Sequence, residues 1–152
     1  MTSRALLLAV VLVAVACADE DQERWESEKP IWDRARADFA AGTLTGSAPE
    51  RLPSVFREKE ELSAFVLAGG IEARFDAGAP PLAAFLWHRG RNEVWIVHDP
   101  SGGLATLDQL ARMDGVPDVR LRPDLQRVAR MLGRPLFRAE DRGGGYYWTV
   151  VE

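Results

Sequence analysis

Few residues in this 152-residue chain have the types that do chemistry: one cysteine, two histidines and some grouped carboxylates. Cys17 is the only thiol, so any thiol chemistry must pass through it. His88 and His98 are the only imidazoles, too few ligands for a zinc or copper site. Pairing Leu82–His88 with Glu93–His98 about Gly90-Arg91 sets Ala83 opposite His98 and His88 opposite Glu93. The two imidazoles then point to opposite faces, and only a one-residue slip in register brings them to one side. His98-Asp99-x-Ser101 has the residue types of a serine triad, but neighbours in sequence do not deliver triad geometry. There is no Gly-x-Ser-x-Gly elbow, and neither Lys29 nor Lys59 follows a glycine as a phosphate-cradling loop requires. Glu58, Glu60 and Glu61 crowd the start of an expected helix, where carboxylates favour the positive end of its dipole. The expectation is no catalytic residue, no metal and no cofactor.

Cys17 has a more informative context. Arg4 is the only charge before Asp19, and from Ala5 to Ala16 every residue is Ala, Leu or Val. A permanent membrane span needs about 20 apolar residues, so this run is too short for one. One positive charge, a short apolar run and small residues have the layout of an export signal. Ala14-Val15-Ala16-Cys17 resembles the lipobox of bacterial lipoproteins, with Ala14 where that motif usually has Leu. The resemblance implies that Cys17 receives lipid and becomes the new N-terminus, anchored in the membrane. Ala18 after it is compatible, by the sorting rules of such lipoproteins, with the periplasmic face of the outer membrane. A second cleavage also fits. Ala16-Cys17-Ala18 is a small-x-small site that would release a soluble periplasmic protein starting at Asp19.

Removing residues 1–16 takes away Arg4 alone and moves the formal net charge from −4 to −5. An acidic domain lacks the basic footprint of nucleic-acid binding. No cysteine remains for a disulfide scaffold within the folded part, so stability must come from an apolar core.

The elements follow from periodicity. Residues 17–30 are polar and acid-rich, an anchor and tether or a frayed helix. A helix follows, with Pro30 near its first turn, Trp32, Ala35 and Phe39 on one face, and Gly42 as its stop. Ser54 opens a second helix whose stripe is Leu62, Phe65 and Val66, ended by Gly69-Gly70. Ile71–Asp76 alternates apolar with charged residues and predicts a half-buried strand. The runs 82–88 and 93–98 form a hairpin. Thr106 and Gln109 make a capping box for a short helix through Met113. Val119 and Leu121 suggest a brief strand, and Pro123 opens a helix with Leu125, Val128 and Leu132 on one face, ended by Gly133. Leu136–Glu152 bends at Gly143-Gly144-Gly145 into a last hairpin. Two similar helix ends, Ala111–Pro117 and Ala129–Pro135, share Ala, Arg, Met, Gly and Pro. The expected architecture is α+β, one small domain over residues 31–152, with a mostly antiparallel sheet and about four short helices.

The 82–98 hairpin is apolar on both faces, with Phe85, Trp87, Val94 and Ile96 on one and Leu86, Trp95 and Val97 on the other. Either both faces are covered, or one meets a partner. The functional version is a docking patch of Trp95 or Trp87 with nearby Arg89 and Arg91, the residue types of interaction hot spots.

Val128-Ala129-Arg130-Met131-Leu132-Gly133-Arg134-Pro135-Leu136, followed by Tyr147-Trp148, resembles the C-terminal part of SmpA/OmlA-type envelope lipoproteins. Arg122-Pro123-Asp124 stands where that family has Gly-Met-Thr. The resemblance covers about a fifth of the chain. It implies an outer-membrane accessory of β-barrel assembly, or a related adaptor with a protein partner in the envelope. Two other readings stay open. One is an unlipidated periplasmic binding protein or inhibitor; the other is a small envelope hydrolase whose carboxylates meet only in three dimensions.

Overall fold

A computed structural model describes the backbone of residues 2–111 and 123–152 and the side chains of residues 20–107 and 123–152. The chain divides into two compact units, residues 1–44 and 45–152.

The first unit is one helix, α1 (Thr2–Ala40). The stretch read as a tether or a frayed helix is helical, and Pro30 lies inside the helix and not in a first turn. Ion pairs at helical spacing join Arg24 to Glu28, Lys29 to Asp33 and Arg34 to Asp38 at 2.8–3.0 Å. Each contributes about 0.3–0.5 kcal/mol, against about 3 kcal/mol for a proline that removes one backbone bond. Pro30 is therefore the local weak point of α1. The stop falls where the sequence predicts it. Gly42 has φ +71° and donates to the Phe39 carbonyl, while Thr43 donates to that of Asp38, the Schellman ending that glycine permits. Residue 31, the expected start of the folded domain, falls within this helix. Among the described residues, no helix is long and apolar enough to cross a membrane.

The second unit is a small α+β domain: α2 (Val55–Glu58), β1 (Leu62–Val66), β2 (Glu72–Asp76), β3 (Leu82–His88), β4 (Glu93–His98), α3 (Gly103–Ala111), α4 (Pro123–Leu132), β5 (Leu136–Gly143) and β6 (Tyr146–Val151). The six strands form one sheet in the order β1-β2-β3-β4-β6-β5, with every neighbouring pair antiparallel. Edge strand β5 carries two bulges, at Phe137 and Arg142. The core joins one sheet face to the helices: Leu82, Ala84, Trp95, Val97 and Tyr147 meet Leu104, Leu125, Val128, Met131 and Leu132. On the opposite face, Phe65, Phe75 and Phe85 make a row of edge-to-face rings with centroids 5.9 and 6.0 Å apart.

Four expectations are corrected. The helix expected from Ser54 to Val66 is a single turn followed by strand β1. Ser54 makes no side-chain cap, and the helical spacing of residues 62, 65 and 66 is overridden: in the strand Leu62 and Phe65 fall on opposite faces. Pairing Leu62–Val66 with Glu72–Asp76 decides it, and Gly69 and Gly70, at φ +86° and +78°, make the hairpin bend. Strand β2 is buried on both faces, its charged side included. The hairpin register holds from Ala83↔His98 to Leu86↔Trp95, then slips to His88↔Val94 with Trp87 as the extra residue. Finally, α3 starts at Gly103, before Thr106, because Asp99 supplies the cap. The expected strand at 119–121 and most of the 111–117 segment lie outside the described residues. Helix α4 and the last hairpin form where expected.

Candidate functional site

The expected docking patch does not assemble. Trp95 is fully buried, its indole Nε1 donating to Glu93 Oε2 at 3.1 Å. Trp87 is 6 % exposed and leans on Trp148 with centroids 5.4 Å apart. The two indoles belong to opposite sheet faces, one facing the helices, the other lying with Trp148. Both are buried, so neither indole offers a docking surface beside Arg89 and Arg91. Arg91 is exposed, and Arg89 turns back to Glu72. Cys17 lies on α1, its side chain outside the described residues.

The histidines do not meet either. Even with the slip, His88 sits by the β3–β4 turn and His98 at the far end of β4, against the edge of Tyr146. Asp99 does not serve His98. Its Oδ1 accepts from the Ser101 backbone at 3.0 Å and from the Ser101 hydroxyl, and its Oδ2 accepts from Leu104 N at 3.1 Å. Asp99 and Ser101 therefore build the turn and the helix start. Among the described residues, no three His, Cys, Asp or Glu converge as metal ligands.

What the fold does bring together is a buried charged cluster on the helix-facing side of the sheet. Arg74, on β2, has a side chain 7 % exposed and reaches α4. The glycine ending of α4 has Gly133 donating to the Arg130 carbonyl and Arg134 to that of Ala129. Arg74 Nη1 donates to the next two carbonyls, Leu132 at 2.6 Å and Met131 at 3.3 Å. A cation there also meets the negative end of the helix dipole. Its Nη2 donates to Glu72 Oε1 at 3.1 Å, and its guanidinium lies over the Trp95 ring, 4.5 Å from the centroid. Burial lowers the Arg74 pKa, with Glu72 and then Glu93 opposing that shift.

Arg89 closes the cluster from the β3–β4 turn. It donates to Glu72 Oε2 and lies 3.8 Å from Glu93 Oε1, which Arg134 approaches at 4.0 Å. Two carboxylates thus share one guanidinium, the nearest approach in this cluster to the paired acids of a hydrolase. Their contacts, however, are with three arginines and an indole of the protein itself. A second tie lies at the other end of β2. Arg127, on α4, forks onto Asp76 at 3.1 and 3.2 Å, and its Nη2 donates to the Pro80 carbonyl at 2.9 Å. The chemistry of this arrangement is cohesion. Through Arg74 and Asp76, β2 grips α4 at its C-terminal end and at its middle.

Sequence reasoning missed Glu72, Arg74, Asp76, Glu93, Arg127 and Arg134. The signal present was Glu72-x-Arg74-x-Asp76, opposite charges on one side of a strand, which reads equally as a solvated face. Tyr147 is a further buried group near Asp99. Burial raises its pKa, with Asp141 and Asp99 adding to the effect.

No family model matches this chain, and neither a curated protein nor a solved structure is significantly similar to it.

Proposed function

We propose that this is a bacterial cell-envelope lipoprotein, carried out of the cytoplasm by residues 1–16 and held at a membrane by lipid on Cys17. Its α+β domain serves there as a binding or assembly module, not as a catalyst. One observation carries the reading: an uninterrupted Ala/Leu/Val run, preceded by a single Arg, ends at the only cysteine of the chain. Several acyl chains at about 0.8 kcal/mol per buried methylene make such an anchor effectively permanent. The resemblance of residues 128–136 and 147–148 to SmpA/OmlA-type lipoproteins supports an adaptor at the outer membrane. The helix, glycine-proline exit and aromatic strand in those segments are in keeping with it. Trp87 and Trp95 are both buried and serve the fold.

Labelling cells with a palmitate analogue tests it. The intact chain takes up label and fractionates with membranes, and Cys17→Ala abolishes both. A second reading rests on Ala16-Cys17-Ala18, the small-x-small site. If the mature chain is unlabelled and begins at Asp19, that soluble periplasmic reading replaces the first. An intact chain beginning at Met1 in the cytosol would overturn both.

A further inference from the structure

We draw no further inference here: the strongest candidate, the exposed Phe137 that a bulge pushes out of edge strand β5 between Arg134 and Arg138, carries nothing because nothing in the structure shows what covers it.

Discussion

Helices α1 and α4 end in the same way and are held there differently. Each stops at a glycine with φ +71°, and each closes with the same pair of backbone bonds, made by the glycine and the residue after it. At Gly42 the motif is local, and a Cβ added there would meet nothing within 4 Å. At Gly133 the same motif is packed. A Cβ would lie 2.6 Å from Pro53 Cγ, and Arg74, more than fifty residues away in sequence, occupies the carbonyls that the glycine motif leaves over. Local chemistry can end a helix, but only distant residues can fix where that end sits.

Removing the distant part should have the largest effect. Arg74→Met takes away the donor to Met131 and Leu132, leaves the half-buried Glu72 with one partner fewer, and removes a nearby positive charge from the buried Glu93. Breaking a buried charged network from one side costs about 3–5 kcal/mol. Urea denaturation reads this directly, and a loss below about 1 kcal/mol would show the cluster to be dispensable. Gly133→Ala comes next. It forces a side chain into the left-handed region, at about 1–2 kcal/mol, and against Pro53, at a further 1–3 kcal/mol or so. Gly42→Ala carries only the first of these costs, about 1–2 kcal/mol, confined to the last turn of α1. Hydrogen exchange should show fraying near residues 38–43, with the sheet amides unchanged. Equal losses for the two glycine variants would erase the contrast between them.

The smallest effect concerns pH. The Tyr147 phenol has its pKa raised in the folded protein, so the unfolded chain releases this proton first as pH rises. Its contribution is fully present below the ordinary phenol value near 10 and is lost above it, as pH climbs towards the folded value. Tyr147→Phe should therefore flatten the alkaline fall in stability. An unchanged alkaline limb would assign that fall to other groups.

This contrast also explains what could be read in the residues alone. Gly42, Gly133, the 82–98 hairpin and the final hairpin are visible because their signals are local: a glycine stop, a turn, an alternation. Residues 54–66 mislead because Leu62, Phe65 and Val66 have helical spacing, and the partner that overrides it is another strand. The charged side of β2 misleads for a related reason. Alternating charge normally faces water, and nothing near Glu72-x-Arg74-x-Asp76 announces that a helix end and Arg127 will meet it. The opposite faces of Trp87 and Trp95 follow from strand parity, but their burial depends on Trp148 and on helices distant in sequence. The register itself was legible up to the bulge.

The position of β6 between β4 and β5 has a consequence for how the chain comes together. The outermost strand on that side has no neighbour to join until Tyr146–Val151 is in place. Closing β4 onto β6 spans roughly 50 residues of intervening chain, a distance whose entropic cost must be met before the pairing repays it. Completion of the sheet thus waits for its C-terminal strand.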